Sequence, residues 1–216
     1  MEVVYVISAI VGFVLIAIYL SSHFEKKRTE AMMVAAESLG FEFTAALDEP
    51  ARTYLSRTEL FSRGRGNKAC NYLRRSTDEV DVVIFDHQYT VGSGKSSQTH
   101  KQTVVSIQSS GLNLPAFAIS PEHFLHKFAT ALGYQDIDFA QYPRFSAAFL
   151  LRGPNETEIR EKLEAVDLER IADFPGISIE AKGDHLLLWY GSRRSKPGDV
   201  RKLFETAFEI YVLLRD

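Results

Sequence analysis

The sequence predicts an α+β protein with one N-terminal transmembrane helix followed by a mostly antiparallel sheet packed with helices. Three observations support this prediction. An uncharged apolar run occupies residues 3–20. Residues 69–75 and 80–91 are β-like segments on either side of a short polar turn, as in a hairpin. Amphipathic helical patterns and apolar strand patterns then alternate through the last hundred residues.

The apolar run has the length of a membrane-spanning helix. It covers 18 residues, about 27 Å of helix, which is close to the hydrocarbon thickness of a bilayer. A cleaved signal peptide would need a basic start and small residues at the cleavage site, and a core helix would need a polar outer face. The run has none of these, so residues 1–24 are predicted to be the anchor, with the lipid-embedded positions represented by Val3, Ile10, Leu15 and Leu20.

The charges that flank the run predict its orientation. Lys26, Lys27 and Arg28 follow it, whereas no basic side chain precedes it. The positive-inside rule then leaves the N-terminus outside the cell membrane and the rest of the chain in the cytoplasm. The lone Cys70 fits a reducing compartment.

Residues 25–40 are predicted to form a juxtamembrane helix, because they are rich in helix formers and end at Gly40, a candidate left-handed cap. Met32 and Met33 then face either the domain or a partner. Residues 41–216 form the soluble α+β domain. Two sub-domains, 41–119 and 145–216, remain an open alternative to a single core.

The first half of the domain reads as a short helix within residues 48–62 and then two hairpins. Alternation in the strand at 80–91 places Phe85 and His87 on one face and Ile84 and Asp86 on the other, so Asp86 and His87 cannot form a dyad. The polar loop at 92–99 leads to a strand at 103–107. Residues 115–119 are predicted to be an edge strand, and Ser120-Pro121-Glu122 is predicted to begin a helix.

The second half reads strand, helix, strand, strand, helix. Residues 145–151 are apolar on both faces and are predicted to form a central strand. A capping box at residues 155–158 begins a helix. Residues 177–181 and 185–190 are predicted to pair across a Lys-Gly-Asp turn, and an amphipathic helix closes the chain.

Composition excludes several classes of function. The chain carries 25 basic and 28 acidic residues for a formal net charge of −3, which is too balanced for a protein that coats nucleic acid. One cysteine excludes an intrachain disulfide and a cysteine-based zinc cluster within one chain. The Gly-Lys-Ser sequence at 94–96 lacks the first glycine of a phosphate-binding loop, and a β-type segment follows it, so it is read as a hairpin tip.

A basic stretch without an acid occupies residues 61–75. On a domain held at a membrane these cations are candidates for contacts with anionic lipid headgroups, together with the loop that carries Lys95. A solvated protein surface is the competing interpretation. The candidates are Arg63, Arg65, Lys68, Arg74 and Arg75.

A second group of residues raises an enzymatic alternative. His123 and His126 lie three positions apart on the predicted helix, a spacing at which two imidazoles can share a metal ion. Asp136 and Asp138 would supply the missing ligands of a metal-assisted hydrolase. The competing interpretation makes the histidines partly solvated and the aspartates turn or capping residues.

Several short motifs form a distinctive set. They occupy residues 85–90, 92–95, 103–105, 114–117, 121–122, 136–139 and 149–153. Taken together, they resemble an uncharacterised family of bacterial membrane-anchored proteins. The resemblance covers nearly the whole chain and implies single-pass architecture and a bacterial origin, with no assigned reaction, substrate or catalytic residues.

We therefore expect a membrane-tethered module that binds a protein or the membrane surface. The expected partners are the membrane, through a single N-terminal span, and a protein partner or a second copy of the chain, without nucleic acid. No catalytic motif is complete, so a binding role is favoured over an enzyme and no cofactor is expected.

Overall fold

The structure is a computed structural model that describes residues 1–122, 136–191 and 193–215. It confirms the predicted α+β class. Among the described residues, one sheet of eight strands has the order β1-β2-β3-β4-β8-β7-β5-β6, and each neighbouring pair is antiparallel. The strands are β1 (Glu42–Thr44), β2 (Arg65–Ser76), β3 (Val80–Val91), β4 (Gln98–Ser109), β5 (Leu114–Pro121), β6 (Phe149–Arg152), β7 (Ile177–Gly183) and β8 (His185–Tyr190).

Helix α1 (Glu2–Leu39) joins the apolar run to the domain without a break. Its most apolar 18-residue window has a mean hydropathy of 2.5 and none of that window is buried in the protein. The helix ends at Gly40, whose φ of 69° lets the amide groups of residues 40 and 41 bond back to the last turn, as predicted. Within the described residues, α1 is the one helix that is long and apolar enough to cross a membrane.

Six shorter helices and two 3-10 turns complete the described part of the chain. Asp48 and Thr58 cap α2 and α3 with their side-chain oxygens, which explains why the ambiguous stretch at 48–62 forms two helices instead of one. The helices are α2 (Glu49–Ser56), α3 (Glu59–Ser62), α4 (Pro143–Ala148), α5 (Glu156–Leu163), α6 (Leu168–Ala172) and α7 (Val200–Leu214), and the 3-10 turns are Gly94–Ser96 and Pro197–Asp199.

Helices cover the sheet on both faces. The face that carries Ile84 and Val105 packs against the C-terminal half of α1 and against α5, α6 and α7, and is called the α1 face. The opposite face carries Phe85 and Trp189 beneath α2 and α3, and is called the α3 face. Strands from residues 41–119 and from residues 145–216 belong to this one sheet, because β8 pairs with β4 and β7 pairs with β5.

Two strand predictions were wrong in position. Helix α4 (Pro143–Ala148) covers the first four residues of the central strand expected at 145–151, and β6 pairs only with β5 within the described residues. The apolar stretch was misread because side chains buried in a helix and in a covered edge strand follow one another there. Strand β5 is internal instead of an edge, and it continues through Pro121, at the strand end where a missing amide group is tolerated. The rest of the helix predicted from Ser120 lies outside the described residues.

Candidate functional site

A buried carboxylate at the junction between α1 and the sheet fixes the helix to the domain. Asp86 projects from β3 onto the α1 face and is 2% exposed. Arg28 of α1 donates to both oxygens of this carboxylate, from Nε and from Nη2, at 2.6 Å each. The amide of Asn71 and the hydroxyl of Thr103 also donate to the carboxylate, each at 2.9 Å. Every oxygen of the buried charge is therefore paired, as a charge in a protein interior requires.

A second layer of polar contacts extends this junction. Arg194 donates to both carboxylate oxygens of Glu25, at 2.7 and 2.6 Å, and Lys101 donates to the same carboxylate at 3.1 Å. The hydroxyl of Thr29 donates to Asn71 at 2.8 Å. Asn71 lies at a bulge in β2 with a φ of 56°, a left-handed conformation that asparagine tolerates better than most residues.

These contacts also show how α1 is aligned with the strands. Glu25 lies beside Lys101 and Thr29 lies beside Asn71. The chain that leaves α1 pairs Glu42 with Arg74 further along β2. The order of these contacts means that α1 runs in the same direction as β2 and β4. The strands therefore run alongside α1, and the α3 face looks away from α1.

A pocket with a volume of about 370 Å³ opens on the α3 face over β5, β7 and β8. Small side chains from β5 and β7 form its floor, and α3 and the Arg152–Pro154 segment form its walls. Trp189, the single tryptophan of the chain, contributes an aromatic surface. The floor residues are Ala116, Ala118, Ser120 and Ser178.

Two carboxylates line the pocket, and both have partners. Glu180 accepts hydrogen bonds from the backbone amides of Glu59 and Leu60 at 2.5 and 2.9 Å, and so caps the start of α3. Burial raises the pKa of Glu180. Glu59 pairs with Arg63 at 3.1 Å, and the guanidinium of Arg63 lies 5.4 Å from the centre of the Trp189 ring.

The remaining charges of the pocket are positive. Arg57, Arg152 and Lys182 line it and form no ion pair with another described residue. With the two acids already engaged, an occupant would meet an excess of cations beside an aromatic ring. This combination suits an anionic group carried on a partly apolar body.

His87 lies on the α3 face, whereas Asp86 lies on the α1 face. The prediction that these two residues point to opposite faces of the sheet is therefore confirmed. Its side chain is 1% exposed, packs 4.4 Å from the Phe61 ring and bonds to Asn67 at 3.0 Å. Burial lowers the pKa of His87 to about 4, which leaves the imidazole neutral at pH 7. This histidine is a packed core residue.

The five cations of the basic stretch occupy three different places. Arg63 lines the pocket, whereas Arg65 lies beside the β3–β4 turn, where it donates to the carbonyl of Gly92 and to the Ser97 hydroxyl. Lys68 is exposed near the same turn. The other two lie at the opposite end of β2, where Arg74 pairs with Asp81 and Asp48 and Arg75 is exposed.

The structure describes two of the four candidate metal ligands, Asp136 and Asp138. His123 and His126 lie outside the described residues. The carboxylate of Asp136 accepts a hydrogen bond from the backbone amide of Leu151 at 2.9 Å, and burial raises its pKa. The backbone carbonyl of Asp138 accepts from Arg160. In residues 1–122, 136–191 and 193–215 no three side chains are grouped as a metal site.

A solved structure with a similar fold is the crystal structure of the mycobacterial trehalose monomycolate transport factor A, TtfA. The two superpose with a TM-score of 0.63 over 87% of this chain and 94% of that chain, at 12% sequence identity. A likeness at this identity shows the fold. Searches against protein-family models and against curated proteins find no match for the chain.

Proposed function

We propose that the protein is a single-pass inner-membrane protein whose cytoplasmic domain is a binding module for an acidic segment of a partner protein. The observation that carries the proposal is the cationic pocket on the α3 face. Arg57, Arg152 and Lys182 there would pair with carboxylates, while the small side chains of the pocket floor would contact an adjacent apolar side chain.

The orientation of the pocket favours a protein over a lipid of the same membrane. Because α1 packs on the opposite face and runs along the strands, the pocket opens sideways into the aqueous phase. A lipid would have to leave the bilayer to reach the pocket. A soluble protein, or the soluble part of a membrane protein beside the domain, could reach the pocket directly. The cytoplasmic location is supported by Lys26 and Lys27 at the end of the apolar run.

Other features are compatible with this proposal. The fold relative is named a transport factor, a role in which a membrane-tethered binding domain is useful. The membrane-anchored bacterial family that the sequence resembles implies the same architecture.

Photocrosslinking in living cells tests the proposal. A photoreactive amino acid replaces Ser62, an exposed residue on the rim of the pocket, in the full chain. The control position is Val212, which is 43% exposed on α7 beyond the α1 face. We expect discrete protein adducts at Ser62 and none at Val212, and we expect Arg152→Glu to remove them.

Two results would contradict the proposal. Adducts to lipid alone at Ser62 would replace the protein partner with a lipid. Protein adducts that are equal at both positions, or unchanged by Arg152→Glu, would show that the pocket does not bind them. A reporter fused after residue 216, active only in the cytoplasm or only outside it, tests the orientation separately.

A further inference from the structure

The alignment between α1 and the sheet sets the height of each strand end above the membrane. Glu25 lies level with Lys101, since their side chains pair at 3.1 Å. From Glu25 to Leu20, where the apolar run ends, the helix rises about 7.5 Å. From Lys101 to Gln98, where β4 begins, the strand extends about 10 Å in the same direction. The β3–β4 turn lies beyond Gln98 and so reaches at least the level of Leu20.

Strand β2, which pairs with β3, gives the same result. Thr29 lies level with Asn71, and Arg65 lies six residues from Asn71 toward the membrane, about 20 Å of strand. The same distance along α1 leads from Thr29 to the region of Phe13 to Ile18. A crossing angle of 40° between helix and strand would shorten the reach by only about a quarter, so the turn stays at the end of the apolar run.

This end of the domain is built from residues 92–97 with Arg65 and Lys68, and is called the hairpin end. No aspartate or glutamate occurs between residues 87 and 107 or between residues 61 and 77. Lys68 and Lys95 are exposed there. The guanidinium of Arg65 donates hydrogen bonds to the Gly92 carbonyl and the Ser97 hydroxyl. These bonds hold the turn next to the positive charge of Arg65.

The opposite end of the same strands has a different charge pattern. Asp78 and Glu79 form the β2–β3 turn, and Asp81 and Arg74 pair beside it. At the membrane end, the charged side chains of these strands are all basic. At the far end, the strands carry both acidic and basic side chains. A surface attracted to anionic headgroups would have the first pattern, because each basic residue near such a surface adds to the attraction and each acid subtracts from it.

We propose that the hairpin end lies in the headgroup layer of the membrane that α1 crosses, where Arg65, Lys68 and Lys95 contact anionic lipid headgroups. The inference rests on the part of the proposed function that makes α1 a membrane span. It narrows the five predicted headgroup cations to Arg65 and Lys68 and keeps the Lys95 loop that was predicted with them. Two points, α1 and the hairpin end, then hold the domain against the membrane.

Depth measurements on the full chain in lipid nanodiscs test the inference. In a Cys70→Ser background, a fluorophore is attached at Ser93→Cys in the hairpin end or at Asp78→Cys in the far turn, about 40 Å away along β3. The nanodiscs contain lipids with a spin label on the headgroup, which quenches fluorescence at short range. We expect strong quenching at position 93 and little at position 78.

A charge comparison identifies the lipid. Lys68→Gln with Lys95→Gln is expected to lower the equilibrium constant of the headgroup contact by about 5-fold per cation, and so to weaken the quenching at position 93 in anionic nanodiscs. Arg75→Gln, at the far end of the same strand, is the matched control and is expected to change nothing. Quenching at position 93 that is identical in neutral and anionic nanodiscs would overturn the headgroup contact.

The remaining outcomes separate this inference from the proposed anchor. If neither label is quenched while the chain resists alkaline carbonate extraction, the span stands and the hairpin end does not reach the membrane. If the chain is extracted by carbonate, the span itself is refuted. Equal quenching at both positions would mean that the domain lies flat, which also contradicts the upright geometry.

Discussion

Replacing Asp86 by asparagine is expected to loosen the domain from helix α1. The carboxylate is 2% exposed and accepts two hydrogen bonds from Arg28, which is itself only 16% exposed. Asparagine keeps the shape but removes the charge, and its amide group turns a donor toward side chains that already donate. Removing one partner from a buried ion pair costs about 3–5 kcal/mol, because the other charge remains buried without compensation.

The structure supplies a matched control for this loss. Asp81 receives two hydrogen bonds from Arg74 in a similar two-pronged geometry, but that pair is more exposed, at 31% and 19%. Arg74 also keeps Asp48 as a partner. Asp81→Asn is therefore expected to cost about 1 kcal/mol or less.

Urea unfolding of the full chain in detergent micelles measures both variants, with fluorescence of the buried Trp189 as the signal. With a denaturant slope of about 2 kcal/mol per molar, Asp86→Asn is expected to lower the midpoint by about 1.5–2.5 M. Trypsin should also cut faster after Lys26 and Lys27. Substituting both partners, Arg28→Met with Asp86→Leu, is expected to recover part of the loss, because it leaves no unpaired charge.

A midpoint shift for Asp86→Asn no larger than that for Asp81→Asn would refute the reasoning. It would mean that Arg28 finds water or Ser195 as a sufficient partner, and that the junction does not hold α1 against the sheet.

Three further predictions concern the core. The pKa of His87 is about 4 in the folded chain against about 6.5 when unfolded, so its contribution to stability is complete above pH 6.5 and declines as the pH falls toward 4. Between pH 7.5 and 5 the folded state should lose about 2 kcal/mol more than a His87→Gln variant does, and equal losses in unfolding titrations would exclude the neutral imidazole. In urea unfolding, Met32→Ala is expected to lower the free energy of unfolding by about 2–5 kcal/mol and Met33→Ala by under 1 kcal/mol, because Met32 is 0% and Met33 is 45% exposed. Equal losses would contradict the burial of Met32 alone. Gly153→Ala is expected to lower the melting temperature, because a Cβ there would overlap a carbonyl of β5, whereas Gly198→Ala meets open space and should melt like the parent chain.

Local sequence patterns predicted those features whose cause is local. The alternation in 80–91 assigned Phe85 and Ile84 to opposite faces correctly, because side chains in any strand alternate. Gly40 ended the first helix as predicted, since a left-handed residue needs no distant partner. The uncharged apolar run likewise predicted a helix that the domain does not bury.

Features that depend on distant contacts could not be read from the sequence. Alternation showed which side Asp86 faces, but its partner Arg28 lies 58 residues earlier in the chain. The pocket was missed because β5 meets β7 only through the strand order of the sheet. Its signal in the sequence was faint, namely small residues at alternate positions in β5 and a single tryptophan in β8.

The unbroken run of α1 from its apolar half into the core has a mechanical consequence for the proposed membrane span. A membrane helix tilts when the hydrocarbon layer becomes thinner than its apolar length. Because the Arg28–Asp86 junction leaves no hinge, the domain must tilt with the helix. The part of α1 from Glu25 to Leu39 is about 21 Å long, so a 20° change in tilt carries its end about 7 Å sideways. In the proposed arrangement, bilayer thickness would thereby set where the pocket lies relative to neighbouring proteins.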